Sequence, residues 1–511
     1  MKQGVILSLA ILTVGCASTG YWPADEWRYS TPEQQGMDSG VLAGLIDYIE
    51  ENDLNIHSMT IIRNGYVVLD AYWWPLEPGD LHDIASCSKS ITSLCVGIAL
   101  DKGLISNLNG PFITYYPEHD LTVRDGDPEP ITVRHLLTMT AGLECVNHPV
   151  EQTLIDMQQS PDFIQFALDL PVTHPPGTHY AYNSCTSHLL GGIVANSSGM
   201  SLAQFARVNL FRAIGIDSVY MVPDPQGYHR AWGDMRMSPH DMARIGYMML
   251  NKGNWDGRQI VSKKYIKQTT KNHTKDFGPE DGYGYQWWCY KFGSFFATGR
   301  GGQRIFVAPI LDLVVVTTAG TGAEDGPHYE AMLGNYVVSA IKKRGGILDP
   351  NPVGAAELQS RIEQVTRPPE PRPVPEFSDA ASEISGKTWM LDDNLIGWDE
   401  VSFEFEPDDA EAVICLLTDG QRYNLKVGLD GVPRINENIT FVADPRYDGQ
   451  RVALHGEWVD DEFVLYFNTL AIIDNGTIRF RFTDDSLSFT LFERSFMPVD
   501  QVFTGNLKEE L

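Results

Sequence analysis

Ser86 and Lys89 stand three residues apart at the head of an apolar run from Ser90 to Leu100, and this spacing is where the chain could do chemistry. On a helix, residues three apart are neighbours, about 5–6 Å between Cβ atoms, so a lysine amine can reach the serine hydroxyl. A serine hydroxyl is a weak nucleophile near neutral pH until an adjacent base takes its proton. Lysine can be that base if desolvation or a neighbouring cation lowers its pKa. Ile91, Leu94, Cys95, Ile98 and Ala99 give the run a broad apolar surface that stops near Gly103, which predicts a buried helix. Ser-x-x-Lys alone proves little, because a serine cap followed by a solvent-facing lysine spells the same letters.

Two other stretches could complete a site. Tyr182, in Gly177-Thr178-His179-Tyr180-Ala181-Tyr182-Asn183-Ser184, precedes a helical run from Leu189 to Val194 and could aim its phenol at Ser86, shuttling a proton with Lys89. The segment Phe295-Phe296-Ala297-Thr298-Gly299-Arg300-Gly301-Gly302-Gln303 reads as the end of one strand and the start of another. There Gly299 permits close backbone approach, and the Arg300 N–H can join that of Ser86 in an oxyanion hole. Trp287 and Trp288 could wall an apolar substrate cleft. His188 reads as a helix residue bonded to a loop or to solvent. No Gly-x-Ser-x-Gly elbow occurs, which argues against a Ser-His-Asp hydrolase. The cysteines other than Cys16 (Cys87, Cys95, Cys145, Cys185, Cys289 and Cys415) fit no zinc spacing and most read as free and buried; neither metal nor cofactor is expected.

These residues need elements to hold them. Helical spacing runs from about Ser39 to Asn52, and two β-rich runs flank Arg63-Asn64-Gly65, a hairpin signal. A helical, loop-rich stretch extends to about residue 275, and β-like runs return at Phe295–Ala297, Ile305–Val307 and Leu313–Thr318. Strands at both ends with helices between them predict one mixed sheet carrying an inserted helical region. Residues 366–377 are rich in proline and read as a stiff linker. Beyond it, alternating runs such as Thr477–Phe482 and Leu487–Phe492, with turns at Asp430-Gly431 and Asn475-Gly476, predict an antiparallel β domain over 380–500.

In this order, Ser86-x-x-Lys89, the Tyr182 motif and the glycine strand resemble the serine β-lactamase and penicillin-recognising superfamily, especially its class C-like esterases and 6-aminohexanoate-dimer hydrolases. Arg134–Leu143, Met237–Arg244 and Tyr283–Trp288 look familial too, so the resemblance spans about residues 30–345. It implies an α+β fold, a β-lactamase/transpeptidase-like antiparallel sheet flanked by helices, over residues 25–348, followed by the C-terminal all-β domain. It also implies that Ser86 is the acyl-forming nucleophile, Lys89 its activating partner, and Tyr182 a general base that later protonates the leaving group. Ser184, Gly299 and Trp287 would contact substrate.

Two departures narrow the expectation. Ser184 stands where the family often has asparagine, and Ala297 stands where lysine or histidine precedes the third motif. That cation usually holds a substrate carboxylate, so its loss argues against β-lactams and peptidyl-D-alanine. An alternative register, Arg300-Gly301-Gly302, would restore a positive charge. The leading expectation is a serine hydrolase cleaving a small ester or amide. The rivals are a β-lactamase or D-alanyl-D-alanine carboxypeptidase and a catalytically idle binding protein of the same fold.

Composition bounds the rest. A chain of 511 residues holds two or three domains, and a formal charge of −29 without basic clusters argues against nucleic acid. Met1-Lys2, the apolar run Val5–Val14 and Gly15-Cys16-Ala17-Ser18 resemble a bacterial lipoprotein signal, which predicts export and a lipid anchor on Cys16 at the periplasmic face of a membrane, with a soluble secreted form as the alternative.

Overall fold

The computed structural model describes residues 22–23, 26–119, 130–147, 150–279, 281–374, 376–442, 449–483, 485–495 and 497–508. The signal-like segment with Cys16, and Pro375 of the linker, lie outside them. No helix among the described residues is long and apolar enough to cross a membrane.

Strands β1 (Ile56–Arg63) and β2 (Tyr66–Tyr72) are joined by Asn64-Gly65, whose φ values of 52° and 83° give the mirror-image turn that matches strand twist. Strands β3 (Trp288–Cys289), β4 (Phe295–Gly299), β5 (Gln303–Ala308) and β6 (Leu313–Ala319) complete an antiparallel sheet in the order β2-β1-β6-β5-β4-β3. The first hairpin thus pairs with the last strand, and the helical region is an excursion between β2 and β3. Both faces of the sheet are covered. Side chains alternate along a strand, so Val314 and Val316 of β6 enter one core while Leu313 and Val315 enter the other.

The helices that matter for the site are α1 (Ser39–Glu51), α2 (Cys87–Asp101), α3 (Gln152–Gln159), α4 (Ser184–Ser198), α5 (Pro239–Leu250) and α6 (Pro352–Val365). Every residue of α2 from Cys87 to Ala99 is buried. Its hydroxyls are satisfied by neighbouring segments: Ser90 Oγ donates to Gln286 O at 2.6 Å and Thr92 Oγ1 to Ala231 O at 3.0 Å. Helix α6 lies beyond the expected boundary at residue 348. Leu358 and Val365 enter the core that α1 shares with the sheet, and Trp74 N donates to Val365 O, so the first unit runs through α6.

After the extended linker, ten described strands, β7–β16, form the second sheet: Thr388–Leu391, Trp398–Glu404, Glu411–Thr418, Gln421–Gly428, Arg434–Ile439, Gln450–Val459, Glu462–Leu470, Asn475–Phe482, Ser486–Glu493 and Met497–Leu507. The sheet curls into a barrel, with Gly428 of β10 pairing to His455 of β12. Burial alternates residue by residue along β9, and Phe403, Phe463 and Phe480 fill the interior. Asn475-Gly476, expected as a turn, instead opens β14; the reversal falls just before it, where Ala471 has φ 65°.

Candidate active site

Ser86 stands immediately before α2 at the end of a tight turn, with its side chain free of any capping bond to the helix. The carboxylate of Asp83 accepts the Ala85 N–H at 2.7 Å and holds Ala85 at φ 45°, a left-handed conformation that a residue with a Cβ adopts only under constraint. One helical turn on, Lys89 Nζ donates to Ser86 Oγ at 2.8 Å and to Trp232 O at 3.0 Å. Lys89 is 1% exposed, and burial pulls its amine from 10.5 down to about 8 against the opposing charge of Glu151.

Tyr182 precedes α4, which Asn183 caps by accepting the N–H groups of Cys185 and Thr186. The Tyr182 phenol is close enough to Ser86 to be influenced by its hydroxyl, and Lys89 Nζ sits 4.9 Å from the centre of the Tyr182 ring. Burial pushes the phenol well above its ordinary value and the charge of Glu151 adds to this, while the neighbouring Ser86 acts in the opposite sense. Trp288 stacks on Tyr182 with ring centres 6.0 Å apart.

The third expected piece closes on the same turn. A Cβ built on Gly299 would meet Ile84 O at 2.6 Å and Ser86 N at 2.9 Å, so only glycine lets the end of β4 lie this close to the nucleophile's backbone. Ala297 is fully buried and brings no charge. The Arg300 guanidinium turns to the barrel instead, 2.8 Å from Asp474, and bonds Ser495.

Ser184 and Glu151 line the cleft beside Ser86. Glu151 accepts the Ser184 N–H at 2.7 Å, and Ser184 Oγ is buried with no hydrogen-bond partner among the described residues. Trp287 does not line it. The side chain is fully buried in the core, edge-on to Phe295, with Nε1 donating to Ser90 O, so its place is structural. Its neighbour Trp288, the first residue of β3, faces Tyr182 instead. Cys87 and Cys185 are unbridged, as are the other described cysteines; Cys145 and Cys415 are only part-buried.

Three contributors gave no sequence signal. Asp83 lies three residues before Ser86, and burial, then the charge of Asp234, push its carboxyl up to about 6. Glu151 comes from the head of α3. Trp232 supplies the carbonyl that anchors Lys89 and is itself braced edge-on by His188, 4.9 Å between ring centres. His188, a helix residue bonded to a loop as expected, meets Asp224 at 2.9 Å with both side chains fully buried.

A nucleophile with a desolvated amine at hydrogen-bond distance and a neutral phenol beside it can make and break an acyl bond. Among known proteins, the chain is similar to 6-aminohexanoate-dimer hydrolase of Paenarthrobacter ureafaciens, 25% identical over 53% of this chain and 74% of that one. It is also similar to Esterase EstB of Burkholderia gladioli, 25% identical over 32% of this chain and 45% of that one. The solved structure named "Putative 6-aminohexanoate-dimer hydrolase from Bacillus anthracis" shares the fold, with 20% identity and a TM-score of 0.52 over 62% of this chain and 87% of that one. Residues 34–332, more than half of the 511, match the family model described as Beta-lactamase, and the protein therefore belongs to the beta-lactamase family.

Proposed function

We propose that the protein hydrolyses a small ester or amide through an acyl-enzyme on Ser86. The observation that carries this is Lys89 Nζ at 2.8 Å from Ser86 Oγ, in surroundings that bring the amine down to about 8. The neutral amine takes the hydroxyl proton as Oγ bonds the scissile carbonyl carbon. The carbonyl π pair moves to oxygen, where the N–H groups of Ser86 and Arg300 are assigned as donors. When the pair returns, the bond to the leaving group breaks. The leaving group takes a proton from the Tyr182 phenol, which is resupplied from the Lys89 ammonium. Water then repeats the sequence and frees the acid. Tyr182 serves as a neutral donor and relay here rather than as the general base expected from family resemblance, because burial raises its pKa too far for a phenolate to be populated near neutral pH.

One relative is named for hydrolysis of a 6-aminohexanoate dimer and another as an esterase, which supports the ester or amide class. A β-lactam or peptidyl-D-alanine substrate is disfavoured by Ala297, and by an Arg300 whose charge is matched by Asp474 and Glu493. Intact-mass spectrometry after incubation with a small fluorophosphonate tests the reading. A single adduct on the wild type that disappears in Ser86→Ala is expected. A wild type that stays unmodified would sink the hydrolase assignment and favour an idle, ligand-binding relative.

A further inference from the structure

The cleft that contains Ser86 does not end within the hydrolase unit. It is a cavity of about 550 Å³ with Ser86, Ser184 and Trp232 on one side and side chains of the C-terminal barrel on the other: Ile396, Phe441, Phe467, Leu491 and Phe503. That size is in the range of pockets that enclose a small organic molecule. Phe441 and Phe467 pack with ring centres 5.3 Å apart, so part of this wall is braced aromatic surface.

The barrel is held at the cleft by the turn between β13 and β14. Asp83 N donates to Ala471 O at 2.9 Å, and Asn475 Nδ2 donates to Gly320 O at 2.8 Å. Between these bonds Ile473 packs so tightly on Gly301 that a Cβ there would lie 2.2 Å from its Cγ2. Asp474 and Glu493 face Arg300 at 2.8 and 3.9 Å, so the acids on the barrel rim already have a cation. The turn therefore meets the segment that carries the assigned oxyanion donor. Past the rim, the described residues of the barrel wall are apolar, and an apolar wall gains from apolar surface withdrawn from water.

We propose that the mouth of the barrel is a substrate pocket that receives an alkyl or aryl acyl group of the ester or amide opened at Ser86, a reading that rests on the hydrolase assignment above. The barrel thereby selects acyl chain length, and a terminal carboxylate on that chain is rejected by a wall that, among the described residues past the rim, is apolar.

The test uses the full-length protein and p-nitrophenyl esters from acetate to decanoate. For the wild type, kcat/KM rises about two- to fourfold per methylene over the first members, as apolar transfer into a dry wall requires, and then levels off or falls once the pocket is full. Leu491→Trp, which narrows the pocket from a half-buried position, lowers the octanoate-to-acetate ratio at least tenfold. Phe503→Ala moves the optimum toward longer chains. Ile435→Trp, on an exposed barrel position away from the cavity, keeps the wild-type ratio. The ratio is taken within each variant, so partial unfolding cancels. A wild-type profile that falls from acetate onward, or a Leu491→Trp ratio equal to that of Ile435→Trp, overturns the proposal. Fluorophosphonate labelling of Ser86 without turnover of any ester also overturns it while leaving the hydrolase assignment standing. An absence of both labelling and turnover removes the hydrolase assignment and the pocket with it.

Discussion

The chemistry of the site turns on what burial does to one amine. Lys89 has a hydroxyl and a carbonyl as partners and, among the described residues, no carboxylate within hydrogen-bond reach, so desolvation outweighs the attraction of Glu151 and brings the amine down to about 8. Only its neutral form can accept the Ser86 proton. The rate therefore rises with pH as the ammonium is lost, and kcat/KM is expected to climb to a plateau above a midpoint of about 8. Lys89→Arg keeps a guanidinium charged at every accessible pH, so the limb vanishes and the rate drops by about 10²–10⁴. A pH profile of the two proteins on one neutral ester checks this; an unchanged limb in the variant would assign the titration elsewhere. Ser86 and Lys89 were legible in the sequence because their spacing is local. Glu151, Asp83 and Trp232 were not, since what matters is their distance to Ser86 in space.

Two elements meet at a single glycine. Helix α2 brings Ser86 to its head, and β4 ends on Gly299 against that same backbone. Any Cβ at Gly299 meets Ile84 O at 2.6 Å, a backbone atom that cannot swing away. Gly299→Ala is expected to push the strand end off the turn, at a cost of about 1–3 kcal/mol in stability and about 10²–10³ in turnover through a displaced oxyanion donor. Thermal melting and kcat measured together separate the two effects, and a variant with wild-type turnover would remove Gly299 and its neighbour from the site. The glycine was readable as a point of close approach. That the segment lies beside Ser86 was expected too; that Gly299 packs against Ile84 O was not, because β4 and α2 are separated by nearly two hundred residues of helical excursion.

At the scale of the molecule, charge and architecture act together on substrate choice. The chain carries a formal charge of −29, and Asp83, Glu151 and Asp234 line the cleft on the hydrolase side, while Arg300 is matched by Asp474 and Glu493. Carboxylated esters should be poorer substrates than matched neutral ones at low ionic strength, and the gap should narrow as salt screens the field. Steady-state rates on such a pair at low and high salt test this, and a preference for the carboxylate would refute it. Of the whole, the sequence by itself determined the local features: the α2 helix with its Ser-Lys pair, the Asn64-Gly65 hairpin, the proline-rich break and the alternating strands beyond it. Each follows from residues a few positions apart, whose periodicity and turn chemistry act before any long-range contact forms. Only the tertiary structure decided that Trp287 is core while Trp288 faces Tyr182, that α6 belongs to the first unit, and that the barrel completes the cleft. Those outcomes depend on which surfaces meet across the chain, and burial, which sets the Lys89 and Tyr182 proton affinities, exists only once they have met.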